Sequence, residues 1–467
     1  MILVFRGMNP YMHPWFLFRL IKTYLFDIAR LKRFSTSDLH RFQNKMLKKQ
    51  LRFALTVPVY QQLYQQKGFQ ITDVTGITDI NKIPHISKYE LKDGYPDGLI
   101  SSKISPEELV EVATSGTTGK SLTIFVDPFD VVMGLFGYLR TLREYGLSWR
   151  RDRITIIGDF APHTAESGYI RRGLQPRFKL NFLFSNIQWL DTNAKPEEVM
   201  KDLEQFQPDF IGGYVGMLGH LALLKKQGKG KKVNPQFIAS TGAVLDPQLR
   251  TFIADAFKAH VFEAYGTTET GPIAYECKKG GYHVLSDLIH VEVEHNGQPI
   301  PVGKPGHLVV TKLFGKGTPI IRYTAINDIV ALEPTPCSCG MPGVLIKKIY
   351  GRDDLSLMLP GGRVLLPATV AGIYSQVLYK LKTTKLIDTR MVQKDLHSLE
   401  IQIVLDPTQQ TQKPSAETIK QFLLNGFKEK CGPDITISIK EVPKLGDHEQ
   451  RIVTHVNPKD FEILEYV

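Results

Sequence analysis

Short apolar runs rich in β-branched residues alternate with segments of helical periodicity between residues 129 and 262. Runs of this kind are typical of buried strands, and helices placed between successive strands favour a largely parallel sheet. The alternation therefore predicts an α/β fold. The candidate helices are 129–145, 196–206, 215–226 and 247–258, and the candidate strands are 154–157, 210–211, 237–239 and 260–262.

The pattern changes after residue 288, where Gly and Pro turns separate short strands at 307–310 and 329–332. This spacing is typical of a more antiparallel region. Beyond Gly351, apolar residues alternate over 399–405 and 435–439, and Ser415 can N-cap a helix between these two strands. We predict a large N-terminal domain with mixed sheets over 1–350 and a small, mobile α+β domain over 351–467.

Length and charge limit the classes of partner. The chain has 467 residues and a net charge of +11, so it can form two or more cores and attract anionic ligands. Its Lys and Arg residues are scattered, and no RNA-binding motif or zinc-finger helix accompanies them. This argues against nucleic acid as the partner and is compatible with ATP, CoA or pyrophosphate. Four cysteines make no disulfide framework and favour a reducing, cytoplasmic setting.

The first 35 residues are aromatic and apolar, but Arg6, Arg19 and Lys22 interrupt every run before it reaches the length of a membrane span. No small-residue cleavage site of a secretory signal follows. We predict an amphipathic helix over 15–34 that packs on the main domain, and peripheral membrane contact is the alternative. Its predicted packed face contains Leu17, Ile21, Leu25 and Ile28.

A loop rich in glycine and hydroxyl groups is the strongest local motif. It lies between two apolar segments, and the second of these, 122–126, is a predicted strand. Glycine turns expose backbone N–H groups, which can bind phosphate oxygens together with hydroxyls and an ammonium group. The glycine spacing is not that of a Walker loop, and a strand rather than a helix follows. The loop is Thr114, Ser115, Gly116, Thr117, Thr118, Gly119 and Lys120.

A second motif follows the strand at 260–262. In Tyr265-Gly266-Thr267-Thr268-Glu269-Thr270-Gly271 a carboxylate stands among hydroxyls where ligands of open α/β sheets bind. Glu269 can hold Mg²⁺ together with phosphate oxygens, and Tyr265 can stack on a base. An ordinary capped turn at a helix N-terminus is the alternative. A third, weaker motif is Gly351-Arg352-Asp353-Asp354, where the small domain begins.

Together, in this order and spacing, the three motifs resemble the adenylate-forming superfamily of acyl-CoA synthetases, adenylation domains and luciferases, and most closely its phenylacetate-CoA ligase-like branch. The resemblance covers roughly residues 40–460. It implies that the chain is an AMP-forming acid–CoA ligase. Such an enzyme activates a carboxylic acid, here an aryl acid for example, as its acyl-adenylate with ATP and Mg²⁺, and then transfers the acyl group to CoA.

The resemblance also implies roles for single residues. The loop 114–120 would grip the β- and γ-phosphates, and Lys120 belongs to it. Thr268 would touch the α-phosphate, and Glu269 would hold Mg²⁺. Arg352 would reach the ribose or the phosphates, and Asp354 falls at the hinge of the small domain. Around the nucleoside, the implied contacts are Gly242, Ala243, Tyr265, Gly266 and Thr267 near adenine and Asp328 on the ribose hydroxyls.

One segment departs from the family pattern. The family carries a Gly-Lys pair near its C-terminus, whose lysine contacts the carboxylate and the α-phosphate during adenylation. Here His448 stands at that place, and Lys444 lies four residues earlier. A histidine is only fractionally charged near neutral pH. Either Lys444 replaces the lysine through a shifted loop, or adenylation is slow, or the substrate is unusual.

Three cysteines and a histidine form a candidate zinc site. Cys277 and His283 lie in one segment, and Cys337 and Cys339 follow about fifty residues later. Structural zinc favours closed tetrahedral sites of sulfur and nitrogen. Similar clusters occur in some phenylacetate-CoA ligase-like proteins. Reduced thiols without metal are the alternative.

The acid, the acceptor and the oligomeric state stay open at this point, and a homodimer is compatible with the sequence. Alternatives to CoA transfer are adenylyl transfer, acyl transfer to an amine, a carrier protein or a deazaflavin cofactor, or a degenerate protein that only binds nucleotide. The candidates for the acid pocket are Tyr138, Phe160, His163, Tyr214 and 242–244.

Overall fold

The structure, a computed structural model, describes residues 14–114, 121–160, 164, 185–352, 356–446, 451–456 and 465–466. The helices are α1 (Pro14–Lys22), α2 (Arg30–Arg33), α3 (Thr36–Ala54), α4 (Pro58–Gln66), α5 (Lys88–Asp93), α6 (Pro128–Glu144), α7 (Pro196–Phe206), α8 (Val215–Lys226), α9 (Pro247–Phe257), α10 (Pro367–Lys380) and α11 (Ala416–Cys431). A π-helix, Thr23–Asp27, follows α1.

The strands are β1 (Val110–Ala113), β2 (Thr123–Val126), β3 (Ile154–Gly158), β4 (Ile187–Asp191), β5 (Phe210–Tyr214), β6 (Phe237–Thr241), β7 (His260–Thr267), β8 (Gly271–Glu276), β9 (Tyr282–Val284), β10 (Ile289–His295), β11 (Gln298–Pro299), β12 (Pro305–Lys312), β13 (Asp328–Leu332), β14 (Leu345–Arg352), β15 (Leu357–Leu359), β16 (Arg363–Leu365), β17 (Leu386–Asp395), β18 (Ser398–Leu405), β19 (Thr436–Glu441), β20 (Ile452–Thr454) and β21 (Glu465–Tyr466).

The predicted alternation of helices and strands is confirmed. Proline and aspartate residues at the helix starts explain why the helices could be predicted from the sequence. Helices α6, α7 and α9 begin with proline, which has the helical φ and no N–H to leave unpaired. Asp127 and Asp246 cap α6 and α9 by accepting hydrogen bonds from Asp130 N and Leu249 N. β3–β4 and β5–β6 are parallel pairs, as the alternation indicates.

The described residues form two compact units. The first contains 14–114, Ser121–Asn193 and Phe262–Ile349. Its strands run in the order β11-β10-β12-β13-β14-β9-β8-β7, and the antiparallel pairing of β10 with β12 and of β12 with β13 confirms the antiparallel region predicted after residue 288. Tyr60 and Tyr323 are among the largest fully buried side chains of its core.

The second unit contains Ala194–Val261 and the described residues from Tyr350 onward. Helix α8 packs beside the β5–β6 pair, α9 packs on α8, and α10 packs on both helices. A four-stranded sheet in the order β19-β18-β17-β20 packs against α11, which Ser415 caps as predicted. The division of the chain into domains 1–350 and 351–467 stays a prediction.

The N-terminal helix packs on the first unit, but the predicted packed face is wrong. Ile28 is buried, whereas Ile21 and Leu25 are exposed and Leu17 is half-buried. In α1 the buried residue is Phe16 instead, and the π-helix Thr23–Asp27 then widens one turn, so Ile28 no longer follows Ile21 and Leu25 at helical spacing. Among the described residues, no helix combines the length and the apolar character needed to cross a bilayer.

Candidate active site

The glycine-rich loop begins and ends at an antiparallel hairpin. β1 pairs with β2, and the Thr114 N–H donates to Leu122 O at 2.8 Å beyond the last strand pair. The Leu122 N–H donates in return to Thr114 Oγ1 at 2.9 Å. These two hydrogen bonds join the two ends of the loop at Thr114 and Leu122. The strand predicted after the loop is confirmed as β2. The loop residues Ser115, Gly116, Thr117, Thr118, Gly119 and Lys120 lie outside the described residues.

The segment with Tyr265 and Glu269 forms a hairpin between β7 and β8. A bulge lies at Tyr265 and Gly266, where a Cβ on Gly266 would come within 2.7 Å of the Gly271 carbonyl oxygen. Thr268, Glu269 and Thr270 make the turn, and Thr267 Oγ1 lies 2.9 Å from Thr270 Oγ1. The alternative of a helix N-terminus is therefore wrong, because β8 begins at Gly271.

Glu269 is a buried carboxylate at the tip of this hairpin. Glu269 is only 8% exposed. The Tyr323 hydroxyl donates a hydrogen bond to Glu269 Oε1 at 3.2 Å. Tyr323 is fully buried and pairs through its backbone with Val310. Sequence reasoning did not select Tyr323, because no spacing rule connects residues 323 and 269.

Asp328 contacts Tyr265 across the same unit. Asp328 is the first residue of β13 and is 9% exposed, and the Tyr265 hydroxyl donates to its carboxylate. Asn327, the residue before Asp328, adopts a left-handed φ of 60°. Asparagine tolerates this conformation better than most residues. The unit thus brings Tyr265 to Asp328 and Tyr323 to Glu269.

The remaining described nucleotide candidates lie in the second unit. Gly242 follows β6 with a φ of +82°, and a Cβ there would lie 2.3 Å from the Tyr214 ring. Only glycine permits this approach of ring to backbone. Gly242 and Ala243 are exposed. Arg352 ends β14, and its carbonyl accepts a hydrogen bond from Ser356 Oγ at 3.1 Å.

Comparison with known proteins agrees with this geometry. The family model described as "AMP-binding enzyme" matches residues 102–313, which include the loop, the hairpin and Gly242. The chain is 26% identical over 347 residues to a phenylacetate-coenzyme A ligase of Thermus thermophilus, covering 72% of this chain and 75% of the relative. Residues 102–313 therefore form a domain of the AMP-binding enzyme family. The predicted resemblance to phenylacetate-CoA ligases is confirmed.

Two further matches cover more of this chain. A phenylacetate-coenzyme A ligase of Pseudomonas putida is 26% identical over 386 residues, which are 79% of this chain and 83% of the relative. A solved structure of 2-hydroxyisobutyryl-CoA ligase in the postadenylation state has a TM-score of 0.66 and 16% identity, covering 91% of this chain and 88% of that one. The predicted fold class, a large domain with mixed sheets and a smaller α+β part, is confirmed.

The first unit also brings the four predicted zinc ligands together. The ligand atoms of Cys277, His283, Cys337 and Cys339 all lie within 4.8 Å of one another. Cys277 Sγ is 3.8 Å from Cys337 Sγ, and His283 Nε2 is 3.1 Å from Cys339 Sγ. Two thiolates bound to one tetrahedral zinc ion at about 2.3 Å lie about 3.8 Å apart, so the sulfur spacing suits zinc.

The surroundings of the four side chains also suit a metal. Burial lowers the pKa of His283, so its imidazole stays neutral as a ligand must. Burial raises the pKa of Cys277 to about 12, which a bound cation would reverse. The Lys279 N–H approaches Cys277 Sγ at 3.4 Å. β8 separates this cluster from the Glu269 turn by roughly 20 Å of extended chain.

The other predicted residues are less informative. Lys444 is exposed, whereas His448 and Asp354 lie outside the described residues. Of the acid-pocket candidates, Phe160 is 4% exposed and packs edge-on against Trp189 as a core residue. Tyr138 is exposed, and His163 lies outside the described residues.

Proposed function

We propose that this enzyme activates a carboxylic acid with ATP as an acyl-adenylate and passes the acyl group to the thiol of CoA. The observation that carries the proposal is the pairing of Tyr323 with buried Glu269, beside the contact of Tyr265 with Asp328, in a chain with an AMP-binding domain. Relatives named phenylacetate-coenzyme A ligase supply the acceptor and favour an aryl acid.

The nucleoside contacts follow from the resemblance to adenylate-forming enzymes. Tyr265 would stack on adenine, and the exposed backbone at Gly242 and Ala243 would lie along the ring, with Gly266 and Thr267 nearby. Asp328 would accept hydrogen bonds from the ribose hydroxyls. Its contact with Tyr265 supports this assignment, because a residue that stacks on the base then lies beside one that holds the sugar.

The proposed phosphate contacts place positive charge beside the negatively charged phosphates of ATP, where the reaction takes place. Thr268 would bind the α-phosphate, Arg352 the ribose or phosphates, and Lys120 with the loop 114–119 the β- and γ-phosphates. The hard carboxylate oxygens of Glu269 suit Mg²⁺, which when bound would neutralise phosphate charge. The Tyr323 hydroxyl holds one Glu269 oxygen in place.

The chemistry has two steps and needs no covalent enzyme intermediate. A carboxylate oxygen attacks the α-phosphorus of ATP, and the bond to pyrophosphate breaks. The CoA thiol then loses its proton and attacks the acyl carbon, and AMP leaves with the electron pair of the mixed anhydride. Alignment of the bound reactants and stabilisation of the leaving pyrophosphate supply the acceleration. We propose that residues 351–467 rotate about Asp354 between the two steps.

ATP–pyrophosphate exchange across a panel of aryl and aliphatic acids tests the proposal. We expect acid-dependent exchange, followed by thioester formation when CoA is added. Exchange without any acid would contradict acid activation, and exchange without thioester formation would point to another acceptor. Glu269→Gln should lower exchange at least about a hundredfold, as loss of electrostatic stabilisation does elsewhere. Glu400→Gln, at an ion pair with Lys440, is the control.

We also propose that Cys277, His283, Cys337 and Cys339 bind a structural zinc ion that joins the β8–β9 hairpin to the segment before β14. Purified protein should contain one equivalent of zinc, and Cys337→Ser should lose the metal and unfold at lower temperature. Cys431→Ala changes a buried thiol outside the cluster and should keep the zinc. Metal-free wild-type protein with the same unfolding temperature would contradict the assignment. The cytoplasmic setting and the homodimer stay predictions.

A further inference from the structure

Five large apolar side chains of α1 and the π-helix are exposed to solvent. Trp15 is 39% exposed, and Phe18, Ile21, Leu25 and Phe26 are 56–59% exposed. The other large apolar side chains that are this exposed among the described residues are scattered from Leu55 to Ile387. The rings of Trp15 and Phe18 stack at 5.6 Å, so the exposed apolar area is continuous there. Contiguous apolar area of this kind marks an interaction surface.

The opposite side of the same segment is fixed to the first unit. Phe16, Thr23 and Ile28 are buried. Arg140 Nε donates to Ile28 O at 2.9 Å, and Arg30 is ion-paired to buried Asp287 at 2.7 Å. The exposed apolar row is therefore held outward by packing on its other side. It needs no rearrangement to meet a partner.

The charge of the segment that carries the row is positive, although Arg30 is ion-paired to Asp287 and Lys32 to Glu144. Residues 14–33 contain five basic residues and one acid, Asp27, which is ion-paired to Arg30 at 3.1 Å. Lys22 lies on the exposed side of α1. Burial lowers the pKa of Lys49 in α3, and the nearby charges of Arg19, Lys316 and Lys45 lower it further, against the opposing charge of Asp127. Cations of α1 and α3 thus lie near one another, and Lys22 is exposed next to Ile21 of the row.

We propose that α1 and the π-helix form a docking surface for an anionic lipid bilayer, with the helix lying in the plane of the interface. Apolar side chains that reach the acyl boundary and lysines that reach the headgroups are the two attractions of interfacial helices. A second copy of the chain would bring its own basic residues against the basic residues beside this apolar row, and the repulsion would oppose association. An anionic bilayer instead has negatively charged headgroups that attract the basic residues, and an apolar interior that can bury the side chains of the row.

Co-flotation of the full chain with vesicles tests the proposal. We expect binding to phosphatidylcholine–phosphatidylglycerol vesicles in a two-to-one ratio, weaker binding to phosphatidylcholine alone, and weakening by salt. Phe18→Ser/Leu25→Ser should lower the partition coefficient at least about tenfold, because two apolar side chains no longer enter the bilayer. Lys22→Glu/Lys45→Glu should lower it at least about fivefold on the anionic vesicles.

Matched control variants distinguish binding through this surface from nonspecific binding of vesicles. Tyr89→Ser/Val302→Ser changes two exposed apolar residues elsewhere on the same unit, and Lys231→Glu/Lys232→Glu makes the same charge change in an exposed loop. Both controls should bind vesicles like the wild type, and all variants should keep their unfolding temperature and ATP–pyrophosphate exchange. Unchanged vesicle binding by Phe18→Ser/Leu25→Ser, or equal loss in the controls, would overturn the proposal. A dimer that this variant dissociates, without vesicle binding by the wild type, would assign the row to a second copy.

Discussion

Tyr323 donates a hydrogen bond to the carboxylate proposed to hold Mg²⁺. Its ring is fully buried and its hydroxyl lies 3.2 Å from Glu269 Oε1. A buried hydrogen bond to a carboxylate restricts its rotation, so the second oxygen has a defined direction. We infer that Tyr323 positions Glu269 without touching substrate.

Tyr323→Phe should therefore weaken catalysis moderately. Loss of one hydrogen bond costs about 1 kcal/mol, which corresponds to about fivefold in the rate of ATP–pyrophosphate exchange. The Mg²⁺ concentration for half-maximal exchange should rise as well, since the freed carboxylate is less well oriented. Tyr275→Phe is the matched control, because Tyr275 is also buried and its hydroxyl contacts Met341 sulfur at 3.9 Å. Equal loss in both variants would indicate a general effect of packing.

The sequence predicts single residues where local chemistry suffices. Glu269 stands among hydroxyls after a strand, so its residue type and position indicate its role. Asp328 comes from the resemblance, because an aspartate at the start of a strand has no distinctive local pattern. Tyr323 gives no such signal, since an ordinary core tyrosine has the same pattern and only the tertiary fold brings its hydroxyl to Glu269.

At the scale of elements, Asp287 anchors the N-terminal helices. Its carboxylate is fully buried between Arg140 and Arg30, at 2.6 Å and 2.7 Å. Burial alone would raise the pKa of Asp287, but the two guanidinium groups hold it below its usual value. The ion pairs thus contribute stability above the pKa of an unfolded aspartate, about 4, and this stability is lost as the pH falls through the lower folded pKa.

Asp287→Asn should lower the free energy of unfolding at neutral pH by about 3 kcal/mol, because two buried guanidinium groups lose their counter-charge. Urea unfolding monitored by tryptophan fluorescence measures this, and the difference from wild type should shrink in acid. Glu144→Gln breaks the surface pair with Lys32 at 2.8 Å. That change should cost no more than about 1 kcal/mol. Equal effects of the two changes would contradict the buried anchor.

Element boundaries are predicted well where end signals exist. Pro196 starts α7 and Ser415 caps α11, so both were found from sequence. The N-terminal segment also has apolar residues outside the predicted face, among them Phe16 and Phe18, and the π-helix then shifts the face that packs. The exposed row of Phe18 and Leu25 is visible only once the packed face is known.

At the scale of the whole molecule, the two half-reactions differ in whether they need a cation from the residues after 350. Adenylation needs a cation at the carboxylate and the α-phosphate, whereas thiol attack on the finished acyl-adenylate does not need that cation. The family lysine is replaced at its own place by His448, and Lys444 is the nearest lysine before it. A lysine ammonium is fully charged at neutral pH, whereas an imidazole is charged only in part. Charge therefore favours Lys444.

Lys444→Ala should lower ATP–pyrophosphate exchange at least about tenfold, the worth of one charge-assisted hydrogen bond. The same variant should convert added acyl-adenylate and CoA to thioester at the wild-type rate, because that step does not use the cation. Lys440→Ala, at an exposed lysine paired with Glu400, is the control and should leave both steps unchanged. If His448→Ala loses exchange while Lys444→Ala keeps it, the imidazole takes the role, and exchange should then rise as the pH is lowered toward about 6.5.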